Sequence, residues 1–395
     1  MYPEYIDELI RRIEESGESA YVVGGSLRDM LIGTVPHDYD VTTSALPEKI
    51  CDVFSDKRVI KTGIKHGTVT VIWNGEPVEI TTFRIDGSYT DSRHPDSVSF
   101  TSDIVADLSR RDFTVNAMAY NLRNGLVDPF GGAKDIKNKL IRAVGKAEDR
   151  FSEDALRIMR AFRFSAQLGF DICEDTLKGA AAAKKGLANI ARERIGSEFI
   201  KLVTSPYPRL PLELMTREGM LGYVLGEYTP SDKLINTLEK MPVGDVARLG
   251  FILCEADEDA ARDILEGLRC SLKQIKGALA TRRGCLFRVE CAEDARRLIA
   301  NTGEYAELGA EGSEILGVSP SGAAELTLRQ KNTPCNLRQL DINGKILYEL
   351  GVRGKLIGEI LDKLMDRVIE DPALNDREAL TELARAMINE RNGIR

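Results

Sequence analysis

The sequence predicts an α+β domain, a mixed sheet with helices, followed by a long region of helices alone. In residues 1–145, short segments rich in β-branched and aromatic side chains alternate with Gly, Pro, Asn and Asp, which is typical of strands joined by turns. From about Ala147 onward, Ala, Leu, Arg and Glu recur at helical spacing and strand signals become rare. We predict strands at residues 21–23, 38–42, 68–72, 78–83 and 115–120.

The composition excludes several classes of protein. No apolar run approaches the roughly 20 residues that span a bilayer, and the acidic, amphipathic start of the chain is unlike a secretory signal. The seven cysteines include no C-x-x-C pair and there are only three histidines, which argues against a disulfide framework or a structural zinc site. We therefore expect a cytoplasmic protein with reduced cysteines, mostly packed in cores, and no membrane partner.

The net charge of −8 argues against a protein that coats nucleic acid through bulk charge, and we expect no DNA partner. A local basic cleft on an acidic body still allows a specific RNA enzyme.

A Gly-Gly turn follows the first predicted strand, within YVVGGSLRDMLIGTVPHDYDVTT (21–43). Glycines let the backbone approach a ligand closely, and the start of the next helix offers free N–H groups to a phosphate. Arg28 adds a forked donor suited to phosphate. We therefore expect Gly24, Gly25, Ser26 and Arg28 to bind a nucleotide.

The helix after this turn is predicted at residues 27–32. Ser26 is its expected N-cap, and Asp29 lies three residues further on, as in a capping box. The alternative for the whole segment is a glycine turn that only caps a helix.

Two aspartates follow on the next predicted strand. Alternation along a strand puts Asp38 and Asp40 on one face, where their charges repel unless a cation lies between them. Such a pair suits Mg²⁺ held by one or two carboxylates and substrate phosphates. A solvated pair in a loop is the alternative. Strand, Gly-Gly turn, helix and Asp-x-Asp together resemble the DNA polymerase beta nucleotidyltransferase superfamily.

The superfamily usually has a third carboxylate on a neighbouring strand. Glu79 is the candidate, with a satisfied polar residue on a sheet face as the alternative. The resemblance implies that Asp38 and Asp40 hold two Mg²⁺ ions and that the three carboxylates are catalytic.

A second motif, SRRDFTVNAMAY (109–120), joins charged residues to an apolar segment. By itself, Arg110-Arg111-Asp112 is most often a solvated cluster. Together with the first motif, RRDFTxNA resembles the class II tRNA nucleotidyltransferases and the bacterial poly(A) polymerases. In that family, the residues at Arg111 and Asp112 contact the ribose of the incoming nucleotide, which implies selection through the 2′-hydroxyl.

Residues 81–100 are rich in Gly, Ser, Asp and Pro and predict a loop. The loop resembles the flexible loop of CCA-adding enzymes. The residues on which this resemblance rests are Arg84, Tyr89, Arg93 and His94. In that family it helps the switch from adding C to adding A. The alternative is a plain surface loop.

A third motif, FSEDALRIMRAFRF (151–164), places Asp154, Arg157, Arg160 and Arg163 at intervals of three on an otherwise apolar helix. Charges on a buried helix need partners, either a bound nucleotide or acidic neighbours such as Glu153.

This segment resembles the EDxxR element of the family. The resemblance implies that Asp154 accepts from the exocyclic amine of cytosine or adenine, while Arg157 donates to the neighbouring acceptor. Arg160 and Arg163 would contact the nucleotide and its phosphates.

Two later segments complete the resemblance. ARERIGSEF (191–199) fits the family's ERIxxEF element, in which we expect Glu193, Arg194 and Glu198 to support the nucleotide pocket. DINGKILYELGVRGKLIGEIL (341–361) predicts a glycine-punctuated helix hairpin. It resembles the tRNA-gripping tail of the family, and Arg353 and Lys355 at its turn are candidate RNA contacts.

The resemblance implies four regions: a catalytic head at 1–145, a base-reading neck at 146–205, a body at 206–300 and a tRNA-binding tail at 301–395. The implied activity is template-independent addition of CCA to the 3′ end of tRNA from CTP and ATP. An A-adding enzyme, a poly(A) polymerase and a non-catalytic RNA-binding protein remain alternatives.

Overall fold

The structure is a computed structural model that describes residues 2–87 and 98–393. The chain divides into two compact units, Met1–Glu227 and Tyr228–Arg395. The first unit holds all the strands of the described residues, and the second consists of helices and their connections. The predicted α+β region followed by helices is therefore confirmed.

The first unit alternates strands and helices up to residue 141 and is mainly helical afterwards. Its strands are β1 (Ala20–Val23), β2 (Asp40–Thr43), β3 (Val59–Ile60), β4 (Thr68–Trp73), β5 (Glu76–Thr82), β6 (Arg84–Asp86), β7 (Val98–Phe100), β8 (Ala119–Asn121), β9 (Gly125–Val127), β10 (Leu140–Ile141) and β11 (Asp171–Ile172). Its helices are α1 (Glu4–Glu14), α2 (Gly24–Ile32), α3 (Pro47–Val53), α4 (Ile104–Ser109), α5 (Gly132–Lys137), α6 (Ala147–Glu153), α7 (Leu156–Leu168), α8 (Glu174–Ala183), α9 (Arg192–Val203), α10 (Arg209–Arg217) and α11 (Gly222–Leu225).

A seven-stranded sheet forms the centre of the first unit, in the order β3-β4-β5-β2-β1-β8-β9. Its neighbouring strands are antiparallel except for the parallel pair β2 and β5. In that pair Asp40 is the register partner of Glu79, and Val41 is the partner of Ile80. Because side chains alternate along a strand, the two carboxylates share one face and the two aliphatic side chains point to the other.

The aliphatic face of the sheet is covered by α1. Ile6, Leu9, Ile10 and Ile13 recur at helical spacing on α1 and are completely buried. They belong to one apolar cluster with the sheet residues, including Val41 and Ile80. This packing leaves the opposite face, with Asp40 and Glu79, available for a ligand.

The second unit consists of helices and connections in its described residues. Its helices are α12 (Asp232–Thr237), α13 (Asp245–Ile252), α14 (Glu258–Gly267), α15 (Leu272–Cys285), α16 (Ala292–Thr302), α17 (Ala306–Ile315), α18 (Ala323–Arg329), α19 (Gly344–Glu349), α20 (Lys355–Glu370) and α21 (Arg377–Gly393). No helix of the described residues is long and apolar enough to cross a membrane.

Several local predictions need correction. The strand predicted at 115–120 is present only from Ala119 onward, because Thr114–Asn116 form a 3-10 helix. Helix α2 begins at Gly24, three residues before the predicted start, and Ser26 lies inside it instead of capping it. Asp38 precedes β2 and is not part of the strand. Asp154 lies between α6 and α7 with extended backbone angles, and so it is not on the same helix as Arg157.

The cysteines are all unpaired. Cys254, Cys285 and Cys335 are buried, whereas Cys291 is exposed and the others are intermediate. The expectation that most of them pack in cores was therefore too strong.

Candidate active site

A cavity of about 570 Å³ opens in the first unit, where the ends of β1 and β2 meet α2 and α7. Its lining contains more arginines than carboxylates among the described residues. The charged lining residues are Arg28, Asp40, Glu79, Arg84, Arg110, Arg111, Asp112, Asp154, Arg157, Arg160 and Arg194. This excess of positive charge favours a polyanionic ligand.

Asp40 lies at the start of β2, beside Glu79 of β5. Burial, foremost, and the negative charges of Asp38 and Glu79 together raise the pKa of the Asp40 carboxyl to about 6, against the opposing charge of Arg111. Asp38 is exposed and does not line the cavity, but its charge reaches Asp40. The structure therefore brings Asp40 and Glu79 together, with Asp38 at the margin.

The donor set at this point suits a divalent cation. Asp40 and Glu79 supply only carboxylate oxygens, and a cation would relieve their mutual repulsion. In the part of the chain that the structure describes, no group of three His, Cys, Asp or Glu side chains is arranged to hold a metal ion. The phosphates of a bound substrate would complete the coordination of such a cation.

The turn between β1 and α2 brings the backbone close to these groups. Gly24 has φ +69°, and a Cβ there would lie 3.3 Å from Nη1 of Arg111 and 3.5 Å from Oδ2 of Asp40. Only glycine adopts this backbone readily while leaving that space open. The backbone at Gly24 therefore lies close to Arg111 and Asp40, and its approach to a ligand stays a prediction.

Arg28 is held firmly beside the turn. Its Nη1 donates to Oδ1 of Asn116 at 2.9 Å, and its Nε and Nη2 donate to Asp29 at 2.9 and 2.7 Å. Asp29 thus pairs with Arg28 instead of closing a capping box. The hydroxyl of Ser26 donates to the carbonyl of Val23 at 2.8 Å, which explains its buried position inside α2.

Asp112 lines the cavity and binds Arg160 of α7. Its Oδ2 accepts from Arg160 Nε at 2.8 Å, and its Oδ1 accepts from the backbone N–H of Phe113 at 2.9 Å and from Asn116 at 3.3 Å. Burial alone would raise the pKa of Asp112, but the charge and hydrogen bonds of Arg160 outweigh it and hold the pKa below its usual range.

Asp154 also lines the cavity and is held by two hydrogen bonds. Its Oδ1 accepts from the backbone N–H of Leu156 at 2.9 Å, and its Oδ2 accepts from Nη2 of Arg194 at 3.1 Å. Each carboxylate oxygen has a second lone pair, so Asp154 keeps acceptor capacity for a ligand.

Arg157 is turned toward the protein. Its Nη1 donates to Oε2 of Glu153 at 2.7 Å, and its Nη2 donates to the carbonyl of Arg110 at 3.2 Å. Arg163 is buried and donates to Glu198 at 2.5 Å. The arginines of α7 therefore have protein partners, as the ion-pair alternative for this helix predicted.

An aromatic ring lies among three of these arginines. The guanidinium carbon of Arg163 lies 3.9 Å from the centroid of Phe164, and those of Arg28 and Arg160 lie 5.2 Å from it. Cation–π attraction helps to hold the cations without neutralising them.

The remaining candidates differ in their positions. Arg84 lines the cavity and donates to the carbonyl of His66 at 2.7 Å. Tyr89, Arg93 and His94 lie outside the described residues. Glu193 is exposed on α9.

The helix hairpin of the second unit is present as α19 and α20. Arg353 and Lys355 lie exposed at its turn. The guanidinium of Arg353 stacks 3.6 Å from the ring centroid of Tyr348.

Three site residues were missed from the sequence. Asn116 joins Arg28 to Asp112, Phe164 stacks with arginines, and Asp107 pairs with Arg110 and Arg111. Asn116 and Phe164 lie within the quoted motifs, so their inclusion there was the available signal. Asp107 lies outside the quoted motifs, so no pattern in the sequence marked it.

Comparison with known proteins agrees with this geometry. Residues 20–142 match the family model described as "Poly A polymerase head domain", and residues 169–231 match "Probable RNA and SrmB- binding site of polymerase A". The chain is 35% identical to the CCA-adding enzyme of Leuconostoc mesenteroides, covering 98% of each chain. It is 36% identical to that of Ligilactobacillus salivarius, covering 97% of this chain and 96% of the relative.

Solved structures resemble the whole chain. The crystal structure of the Bacillus stearothermophilus CCA-adding enzyme in complex with CTP has a TM-score of 0.85 and 30% identity, covering 100% of both chains. The Thermotoga maritima CCA-adding enzyme complexed with tRNA shares the fold, with a TM-score of 0.70, 22% identity, and coverage of 98% of this chain and 96% of that one.

The sheet, the Gly-Gly turn and the carboxylates beside it, taken with these matches, define a nucleotidyltransferase. Within that class, the chain belongs to the family of the CCA-adding enzymes.

Proposed function

We propose that this chain adds CCA to the 3′ end of tRNA, without a template, from CTP and ATP. The RNA 3′-hydroxyl attacks the α-phosphate of the nucleotide, and pyrophosphate leaves. The observation that carries the proposal is the single cavity surface that joins Asp40 and Glu79 to the arginines and to Asp154. The similarity to CCA-adding enzymes over nearly the whole chain supports the choice of substrates.

The triphosphate lies against the Gly-Gly turn in this proposal. Gly24 and Gly25 leave the backbone accessible, and Ser26 fixes the first turn of α2 through its bond to Val23. Arg28 and Arg160 supply guanidinium N–H groups to the phosphates, and Arg163 acts through its stacking on Phe164. Guanidinium groups bind phosphate oxygens in pairs, which fixes the orientation of the α-phosphate.

The sugar is contacted by Arg111 and Asp112. Asp112 is ionised and bound by Arg160, so its carboxylate is fixed in place for the ribose hydroxyls. A 2′-hydroxyl can both donate and accept, which lets such a pair distinguish ribonucleotides from deoxynucleotides.

The base is read by Asp154 and Arg157. The carboxylate accepts from the exocyclic amine of cytosine or adenine, whereas uracil and guanine present a carbonyl at that point. Asp154 and Arg157 line the same cavity, and Arg157 must exchange part of its bonding to Glu153 for the base.

The metal is assigned to Mg²⁺, held by Asp38 and Asp40 with Glu79 as a third carboxylate. When bound, Mg²⁺ lowers the pKa of the attacking hydroxyl and offsets charge on the leaving group. The protein's own part is to keep Asp40 and Glu79 in register and to place Arg111 beside them.

The division into head, neck, body and tail remains part of this proposal. Arg353 and Lys355, exposed at the α19–α20 turn, are suited to a phosphate backbone in the tail. A cytoplasmic location fits the seven unpaired cysteines.

An extension assay tests the proposal directly. Three tRNA substrates, ending at the discriminator base, at C and at CC, are incubated with Mg²⁺ and with CTP, ATP or both. We expect addition to stop once the end is CCA. A single A added only to the CC end would make the chain an A-adding enzyme, long A tails would make it a poly(A) polymerase, and no product would favour an RNA-binding protein.

The base-reading role makes a separate prediction. Asp154→Ala removes the acceptor for the amine, so we expect incorporation of UTP or GTP to rise relative to CTP and ATP. Asp175→Ala, on the exposed surface of α8, is the matched control and should leave the selectivity unchanged. Unchanged selectivity in Asp154→Ala would refute the role of Asp154.

A further inference from the structure

Asp107 is a completely buried carboxylate next to the cavity. It lies in α4 with 0% of its surface exposed, and it does not itself line the cavity. A buried charge is costly unless it is paired and hydrogen-bonded, so its partners explain its presence.

The partners of Asp107 are residues that do line the cavity. Its Oδ1 accepts from Arg110 through Nε at 3.0 Å and Nη2 at 2.8 Å, and from the backbone N–H of Arg84 at 3.3 Å. Its Oδ2 accepts from Nη2 of Arg111 at 3.3 Å. The carboxylate of Asp107 thus binds the backbone at the start of β6 and both arginines of the RRDFT motif.

The bond to Asp107 determines where the rest of Arg111 lies. With Nη2 held by Asp107, Nη1 lies beside Gly24, within 3.3 Å of the position that a Cβ would take there. The Nε of Arg111 is buried and has no hydrogen-bond partner within the described residues. The Nη1 group of Arg111 therefore lies at the point where the turn meets Asp40 and can donate to a ligand there.

The charges support the same arrangement. Two guanidinium groups share the single negative charge of Asp107, so the cluster retains one net positive charge beside the cavity. Asp107 therefore orients Arg111 without abolishing its attraction for an anionic ligand.

We propose that Asp107 is a positioning residue that sets the preference for ribonucleotides by holding Arg111 against the sugar. This inference rests on the ribose contact proposed for Arg111. Without the carboxylate, Arg111 rotates among several conformers, and its N–H groups no longer meet a 2′-hydroxyl in a fixed geometry.

The test measures kcat/KM for CTP and for dCTP in single additions to a tRNA that ends at the discriminator base. Asp107→Asn keeps the side-chain size and removes the charge. We expect the CTP/dCTP ratio to fall about tenfold, the scale of one lost hydrogen bond, while the KM for tRNA stays unchanged.

Asp135→Asn is the matched control. Asp135 is also a buried aspartate, accepting from Thr114 at 2.7 Å and from Arg142 at 3.0 Å, but it does not line the cavity or touch Arg111. It should lose stability in the same way and keep the CTP/dCTP ratio. A fall in the ratio for Asp135→Asn equal to that for Asp107→Asn would overturn the proposal, since general loosening would then explain both.

Arg111→Ala separates the inference from the function on which it rests. If Asp107 acts through Arg111, Asp107→Asn produces no further fall in the ratio in the Arg111→Ala background. An unchanged ratio in Asp107→Asn beside a reduced ratio in Arg111→Ala overturns the positioning role alone. An unchanged ratio in Arg111→Ala overturns the ribose contact itself and the positioning role with it.

Asp107→Glu provides a second variant if Asp107→Asn does not fold, as judged by circular dichroism. It retains the charge but moves the carboxylate by one methylene group, so the position of Arg111 changes. We expect a reduced CTP/dCTP ratio here too, and an unchanged ratio would contradict positioning by Asp107.

Discussion

At the scale of single residues, Asp40 is held where its ionised form is disfavoured. Burial, Asp38 and Glu79 raise the pKa of its carboxyl to about 6, against the opposing charge of Arg111. Groups placed in unfavourable surroundings often mark functional sites, because a ligand relieves the conflict. A bound cation would do so here.

This conflict predicts a pH-dependent gain in stability for Asp40→Asn. The folded pKa lies above the unfolded value of 3.8, so the penalty for ionising Asp40 grows as the pH rises from about 4 to about 6 and persists above that range. Without divalent metal, we expect the variant to be more stable at pH 8 by at most about 3 kcal/mol, and the gain to vanish near pH 4.

Urea unfolding at several pH values measures this difference in stability. A nucleotide-transfer assay measures the accompanying loss of activity, since Asp40→Asn should have essentially none. Glu76→Gln, an exposed substitution on the same sheet, is the control and should change neither quantity. Equal stability of Asp40→Asn and the unsubstituted protein at pH 8 would contradict the raised pKa, and near-normal transfer would contradict the metal assignment.

The chemical character of individual site residues was predictable, but their partners were not. Asp40, Asp112 and Asp154 stood out because carboxylates adjoin glycines or arginines at short spacing. Their positions around one cavity agree with that prediction. Asp107 could not be identified from the sequence, because its role depends on its burial and on the positions that Arg84 and Arg111 take around it in the fold.

At the scale of elements, α7 joins separate parts of the first unit through ion pairs. Arg160 binds Asp112 after α4, and Arg163 binds Glu198 of α9. Apolar neighbours on α7 bury the stems of these side chains. The charges that line the cavity therefore depend on the packing of this helix.

The pair of Arg163 and Glu198 makes this dependence measurable. Both residues are buried, and burial lowers the pKa of Arg163, although Glu198 opposes that shift. Glu198→Gln leaves a buried cation without its counter-charge, so we expect unfolding free energy to fall by about 3 kcal/mol. Denaturant unfolding checks this value.

Glu193→Gln, on the exposed side of the same helix, should change stability by less than about 0.5 kcal/mol. The double replacement Arg163→Met with Glu198→Leu should recover most of the loss, because apolar pairs often replace buried ion pairs without cost. A loss in Glu193→Gln as large as that in Glu198→Gln would contradict a role for burial.

Element types were easier to predict than element ends. Strands β1, β2, β4 and β5 lie where the β-branched runs predicted them, because buried strands need those side chains. The start of α2 was placed too late, since Gly24 and Gly25 look like a turn although they adopt helical backbone hydrogen bonding. Likewise, the break at Asp154 is invisible in a sequence with continuous helical periodicity.

At the scale of the whole molecule, the chain consists of two units with separate apolar cores. One core lies between α1 and the sheet in Met1–Glu227, and another joins α19, α20 and α21 in Tyr228–Arg395. Every residue that lines the arginine-rich cavity belongs to the first unit. The nucleotide site proposed for this cavity can therefore be tested without the second unit.

We accordingly predict that residues 1–227 fold alone and bind CTP with an affinity close to that of the full chain. The fragment ends in the connection between α11 and α12, so it cuts no helix and retains its own core. Lacking Arg353 and Lys355, it should bind tRNA more weakly, with a smaller dependence of affinity on salt, because fewer phosphates are contacted.

Isothermal titration with CTP and filter binding with tRNA at several salt concentrations measure the two properties. A folded fragment that binds tRNA as tightly as the full chain would contradict the assignment of RNA contacts to the second unit, whereas loss of CTP binding in a folded fragment would show that the cavity needs the second unit to form.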